Sequence, residues 1–372
     1  ICVIALFSIF GASNVFGQVA NYTFSESAGT YTTITGTTIH ASGWDDAVST
    51  NTIPLGFTFN FNGTNYTTCS VNSNGYITFG ATTSANNLYT PISDNSGYAG
   101  VISALGVNLI DDNARDIIYR TSGTAPNRVF TIQWRQARRS ARGGRFDFQI
   151  KLTETSNIIN VVYGSCAPTG NNSQAINVQV GLRGSSNTDF NNRSFSGNAV
   201  WDNSTTAGLT NNATCKTRDV SFPNSGRTFT WTPPTPPTIT SLGASSGCVG
   251  TSLVINGTNL TGATAVTIGG TAAAITATTA TTVTVTVGAG TTGTVQVTTP
   301  GGSVTSATTF TVNAAPVITT QPVVTSICTT GTGTFSVVVT GATTYQWRRA
   351  GVNLTNTAPY SGVNTATLTI TN

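Results

Sequence analysis

The sequence predicts an all-β chain built from antiparallel sandwiches in series, and three observations predict it. Of 372 residues, 73 are Thr and 39 Gly, and only 28 carry charge. That is 8% charged, against roughly 25% in an ordinary soluble domain. Thr-rich sequence poor in helix formers favours sheet and turn. Second, apolar residues recur at every second position, the period of a strand buried on one face. Third, no helical period with caps runs longer than a turn or two. At roughly 100–200 residues per domain the length suggests two or three domains.

The elements follow in chain order. Residues 1–17 open on the apolar run Ile1 to Phe10, too short for a bilayer span. Small residues follow to Gly17, and the pattern predicts a partial signal peptide cleaved after Gly17. Residues 19–232 form the first module. Leu55, Phe57, Phe59 and Phe61 alternate, as do Phe130, Ile132 and Trp134, and then Phe146, Phe148, Ile150 and Leu152. Asn74-Gly75 signals a turn ahead of the strand Tyr76 to Phe79. An antiparallel β-sandwich follows.

Four prolines between Trp231 and Pro237 lack the N–H a central strand needs, so this stretch is a semi-rigid linker. Module 238–312 carries short strands at Leu253–Ile255, Val266–Ile268, Val283–Val287, Val295–Val297 and Phe310–Val312. Their ten-residue spacing suits an immunoglobulin-like β-sandwich. A second joint, from Asn313 to Pro322, leads to residues 316–372. There Thr334–Val339, Tyr345-Gln346-Trp347 and Ala366–Ile370 begin a further immunoglobulin-like module, expected to be truncated at Asn372.

Segment 237–312 resembles an IPT/TIG domain. Gly250 to Leu260 and the closing Pro300-Gly-Gly-Ser303 before Phe310-Thr311-Val312 carry the match. Segment 316–372 is similar to immunoglobulin-like domains of bacterial surface proteins, which would make Cys328 the strand-B cysteine with Trp347 packed beside its bridge. The first module resembles the N-terminal domain of large secreted proteins of gliding Bacteroidetes. Ile53 to Phe57, Ser73 to Phe79 and Arg128 to Trp134 carry that likeness, which implies type IX export.

Chemistry is scarce. Between Thr228 and Trp347 there is no Asp, Glu, Lys, Arg or His, and only Arg348 and Arg349 follow, so neither later module has a carboxylate or imidazole for acid–base work. His40 is the one imidazole, and it is expected to be an ordinary strand or turn residue. Asp45-Asp46 and Asp111, Asp112 and Asp116 are paired carboxylates of the kind glycosidases use. The second set could also supply oxygen ligands to Ca²⁺, although its spacing is not that of an EF-hand. Cys166 and Cys215 are the expected disulfide pair, with Cys69 able to replace either partner.

One run of charge stands out. Arg128, Arg135, Arg138, Arg139, Arg142, Arg145 and Lys151 are opposed only by Asp147 within 24 residues. The pattern reads as strand, hairpin tip and strand. It predicts a positive patch of Arg135, Arg138, Arg139, Arg142 and Arg145 for carboxylate or sulfate groups. The structural counterpart is a solvated loop guarding a sheet edge.

Together these features predict a secreted or outer-surface, non-catalytic protein for adhesion or carbohydrate interaction, with the later modules as spacers. Acidic polysaccharide or a cell-surface glycan is the expected partner; nucleic acid and a stable membrane span are not. The alternative is an accessory region of a secreted hydrolase whose catalytic domain lies outside this chain.

Overall fold

The computed structural model describes residues 19–49, 53–111, 115–140, 144–167, 175–198, 201, 205–217, 221–290, 292–323 and 331–371. The chain divides into two compact units, residues 1–235 with 300–302, and residues 236–299 with 303–372. Among the described residues all regular structure is strand, apart from one 3-10 turn at Val19–Asn21.

The first unit begins with β1 (Thr23–Ala28), β2 (Thr37–His40), β3 (Ile53–Phe61), β4 (Thr64–Asn72) and β5 (Tyr76–Phe79). There follow β6 (Gly100–Gly106), β7 (Leu109–Ile110), β8 (Ile117–Ser122), β9 (Val129–Arg139) and β10 (Arg145–Thr153). The last six are β11 (Ile159–Ala167), β12 (Ile176–Arg183), β13 (Phe190–Ser194), β14 (Thr206–Ala207), β15 (Cys215–Thr217) and β16 (Arg227–Thr232). They make two eight-stranded sheets. One runs β1-β16-β11-β10-β9-β8-β2, with β7 added to β9; the other runs β14-β13-β12-β6-β5-β4-β3, with β15 added to β12.

The alternating residues face inward. Leu55, Phe59, Phe61, Phe130, Ile132, Trp134, Phe146, Phe148, Ile150 and Leu152 are all fully buried in one core. Each such side chain contributes roughly 1.5–3 kcal/mol by leaving water. Rings interlock across the core: Trp134 stacks on Phe148 at 5.0 Å, and Tyr163 meets Trp201 and Phe229 edge-on. Buried tips find partners, as the Trp134 Nε1–H donates to the Ser73 carbonyl and the Tyr163 hydroxyl to that of Ala104.

β1 and β2 are consecutive in the chain yet lie at opposite edges of the first sheet. Residues 29–36 therefore cross its outer face as a strap. The Gly29 N–H donates to the Gly226 carbonyl. A Cβ on Gly164 would meet the Tyr31 ring at 2.8 Å, so that ring lies against the bare backbone of β11. The Gln149 amide donates to the Thr32 carbonyl, and the Ile34 N–H donates to Gln133 Oε1 at 2.9 Å. Gly36 finally passes so close to β8 that a Cβ there would sit 2.0 Å from the Tyr119 carbonyl. Glycine is required at that crossing.

In the second unit, β17 (Thr238–Leu242), β18 (Ser246–Cys248), β19 (Ser252–Thr258) and β20 (Ala265–Ile268) are followed by β21 (Thr271–Thr278), β22 (Thr282–Thr286), β23 (Gly293–Thr299) and β24 (Gly302–Asn313). Their order is β17-β19-β22-β21-β20-β23-β24-β18. β17 and β18, three residues apart in the chain, thus occupy the two edges. Leu253, Ile255, Val283, Val285, Val295, Val297 and Phe310 fill the core on the predicted alternation. Farther on, strand 332–336 pairs with 367–371 and strand 317–320 with 338–340. The expected single strand Thr334–Val339 is therefore two short strands in different sheets. Tyr345-Gln346-Trp347 is not a strand; Trp347 is half-buried and its Nε1–H donates to the Thr365 carbonyl at 2.9 Å. The predicted signal segment and Cys328 lie outside the described residues.

Candidate functional site

Two places in the first unit gather polar side chains. One is a corner where the predicted acidic and basic segments meet. The Asp111 N–H donates to the Trp44 carbonyl and Asp45 bridges Ile110, which lays residues 43–46 alongside 110–111. β7 in turn sets Leu109 opposite Arg139 and Ile110 opposite Arg138.

The acidic groups there act as anchors. Asp111 accepts hydrogen bonds from the Gly43 and Arg115 N–H groups, at 2.6 and 3.1 Å. Asp116 accepts from the Ser42 N–H at 2.7 Å and the Thr38 hydroxyl at 3.0 Å. These bonds hold the turn that buries Trp44, whose indole N–H donates to the Arg115 carbonyl. Asp46 accepts from the Asn74 amide and the Tyr89 hydroxyl, and Asn74 also accepts from the Leu109 N–H. The Ser73-Asn74-Gly75-Tyr76 stretch is thus a buried polar hub. Among the described residues no three His, Cys, Asp or Glu are grouped to hold a metal ion. Asp111 and Asp116 are engaged by donors of the turn, and Asp112, the third residue of the expected Ca²⁺ set, lies outside the described residues. His40 is half-buried, with its Nε2 3.4 Å from the Val71 carbonyl, and burial lowers its pKa.

The predicted arginine patch is not a uniform basic surface. Arg139 is 1% exposed, donates to the Thr217 hydroxyl at 2.9 Å and lies over the Phe146 ring. Burying it satisfies the charge inside the sandwich instead of offering it outside. Arg138 and Arg145 are half-buried and face one another in register across β9 and β10. Arg135 precedes a bulge at Gln136, whose φ is 53° and whose N–H donates to Asp147 at 2.6 Å. Burial raises the Asp147 pKa, while that bond and the charges of Arg135 and Arg115 pull it down. Arg142 lies outside the described residues. The signal missed was pairing: sequence order does not reveal that β7 brings the acidic loop beside the hairpin.

Cys166 and Cys215 are free thiols. They sit on different sheets, β11 and β15, and the Cys166 thiol faces the Asp147 carbonyl on its own sheet. Cys69 is a buried free thiol too. The expected disulfide is therefore not made.

The second place is a groove of about 570 Å³ at the open edge of the sandwich. Thr35, Gly36 and Thr37 from the strap and β2, Pro54 and Gly56 from β3, and Tyr119, Arg120 and Thr121 from β8 line it. The volume falls in the range of small-ligand sites. Tyr119 rests on Phe130 at 5.7 Å, and the Thr121 hydroxyl donates to the Leu55 carbonyl at 2.8 Å. The groove's walls are thus tied to the core. Hydroxyls, an aromatic face and one guanidinium can bind a polar ligand; the lining holds no Asp, Glu or His for proton transfer. Sequence reasoning missed Tyr119 and Arg120, which only strand alternation on β8 could have placed.

Such an architecture defines a modular β-sandwich protein with a large N-terminal head. The chain belongs to the NIDO-related family, whose family model matches residues 21–233. Residues 237–312 match the IPT/TIG domain, as the resemblance in that segment predicts. No curated protein sequence matches. Among solved structures, SGBP-B from a complex xyloglucan utilization locus in Bacteroides uniformis is similar at 17% identity and a TM-score of 0.19, over 41% of this chain and 44% of that one. An SGBP-B from the Bacteroides ovatus mixed-linkage glucan utilization locus, in complex with a mixed-linkage heptasaccharide, gives 11%, 0.18, 56% and 61% in the same order. The gamma-CGTase of alkalophilic Bacillus clarkii gives 16%, 0.19, 46% and 26%. The chain spans less than two thirds of each of these proteins, and at such TM-scores the likeness carries no functional argument.

Proposed function

We propose that the first module is a saccharide-binding head of an exported surface or secreted protein, acting without bond cleavage, with the IPT/TIG module as an uncharged spacer. The groove at the β2–β8 edge carries this reading. Its neutral hydroxyls and Tyr119 suit the alternating hydroxyl and C–H faces of a sugar, and its lining lacks a general acid or base. Export, through a type IX route or another, is part of the same proposal and rests on the apolar leader. Binding of the full chain to a polysaccharide panel, followed by affinity electrophoresis, tests it. Thr37→Trp fills the groove from an exposed position and is expected to abolish retention while leaving the melting temperature unchanged. Retention by no polysaccharide, or unchanged retention of the variant, overturns the proposal, as does release of reducing ends from a bound polymer.

A further inference from the structure

Strand register places one unbroken row of side chains across the outer face of the first sheet. Arg120 on β8 pairs with Thr131 on β9, and Thr131 with Lys151 on β10. Lys151 pairs with Asn160 on β11, and Asn160 with Thr230 on β16. The neighbouring row, Ile118, Gln133, Gln149, Val162 and Thr228, lies under the strap, which takes a hydrogen bond from Gln149 and gives one to Gln133. The strap thus forms a wall along the Arg120 row and meets it at the groove, where Gly36 reaches β8 and Arg120 is part of the lining.

The row carries two cations and no acid. Arg120 is exposed and Lys151 half-buried. Arg128 pairs with Glu154, while among the described residues neither Arg120 nor Lys151 has a carboxylate partner. Burial alone lowers the Lys151 pKa, with no acid acting to raise it. A partly desolvated ammonium without a counter-ion is costly to keep. The two cations stand two strands apart, about 10 Å at the usual inter-strand spacing, a separation of the order of a disaccharide. Between them lies the buried Thr131, and beyond Lys151 the Asn160 Oδ1 accepts from the Thr230 hydroxyl at 2.8 Å.

We propose that the row Arg120–Thr131–Lys151–Asn160–Thr230 is a track for the acid groups of an anionic polysaccharide, carboxylates or sulfate esters, that continues the groove across the sheet. This rests on the reading of the groove as a saccharide site. The basic residues that face an outside ligand are then Arg120 and Lys151, while Arg139 of the hairpin serves the fold.

Two matched pairs of polymers test the track with the full chain: polygalacturonate against its methyl ester, and dextran sulfate against dextran. The acidic member of at least one pair is expected to bind more tightly, with affinity falling as salt rises. Which pair shows the preference tells carboxylate from sulfate. Arg120→Gln and Lys151→Gln should each weaken acidic binding about ten-fold, as loss of one charge-assisted contact does. Arg348→Gln, an exposed arginine on the last module, should leave it unchanged. Equal binding of acidic and neutral members, or an unaltered double variant, overturns the track while leaving the groove's neutral saccharide binding intact. If no polymer of either kind is retained, both readings fall.

Discussion

Shortening the strap by one residue should unseat the edge of the first sheet. From Ala28 to Thr37 the chain has nine Cα–Cα steps, which reach about 30 Å when extended. β1 and β2 stand six strand-to-strand steps apart, about 29 Å at the usual spacing. The strap is therefore within one residue of taut, and deleting Thr33 leaves a span of about 27 Å. The shortfall must be met by peeling β2 from β8 or by giving up the bonds at Gly226, Gln149 and Gln133. Losing three such hydrogen bonds costs roughly 3 kcal/mol. For a unit of this size that lowers the melting temperature by roughly 6–12 °C. Inserting two glycines after Thr33 should cost well under 1 kcal/mol, because loop entropy grows slowly with length. Calorimetry on the two variants, with hydrogen exchange at Thr37–His40, measures both effects. A deletion as stable as the parent, or an insertion that costs as much as the deletion, would refute the taut-strap reasoning.

Other perturbations probe the same framework. Gly226→Ala places a Cβ 1.8 Å from the Gly29 carbonyl at a φ of +85°; the strain should cost at least 2 kcal/mol in urea unfolding, whereas Gly250→Ala, which meets nothing, should cost less than half as much. Thr217→Val removes one acceptor of the buried Arg139 guanidinium and should cost roughly 1.5–3 kcal/mol, read from the shift in urea midpoint. The raised Asp147 pKa means the folded chain holds that proton more tightly than the unfolded one. Its share of stability is full below the ordinary carboxylate pKa and is lost as pH rises through the raised value. Asp147→Asn keeps an acceptor for the Gln136 N–H, so the difference in stability between parent and variant should shift in the variant's favour as pH rises above the ordinary carboxylate pKa. Among the described cysteines, Cys248 is exposed while burial pushes the Cys69, Cys166 and Cys215 thiols up. A thiol reagent at neutral pH should modify Cys248 first, and the other three only on unfolding.

Much of the fold was legible because burial on one face writes a period of two. Leu55 to Phe61 and Phe146 to Leu152 announced their strands and their inward phase correctly. β17 and β21 went unpredicted because a bulge sets Ile239 and Leu242 three positions apart on β17 and β21 is mostly Ala and Thr, so neither shows an apolar alternation to read. The candidate site was harder, since it depends on which strands pair. Arg120 and Lys151 are 31 positions apart, and only the register through Thr131 sets them in one row. Arg139 went inward for the same reason: seven basic residues lie close in sequence, while strand pairing carries Arg139 to Thr217 on β15. Cys166 and Cys215 flanked one loop-rich stretch, yet the chain carries them to different sheets.

The charge-free stretch from Thr228 to Trp347 makes the IPT/TIG module an electrostatic blank. Its one ionisable side chain is the Cys248 thiol, so by the ordinary side-chain values it takes up no proton between about pH 3 and 7, and it carries no fixed charge to be screened by salt. Any acid- or ionic-strength-dependent behaviour of residues 19–312 is therefore a signal from the first module alone. The middle module serves as a built-in reference, and its own transition in a melting curve should stay at one temperature while the other moves.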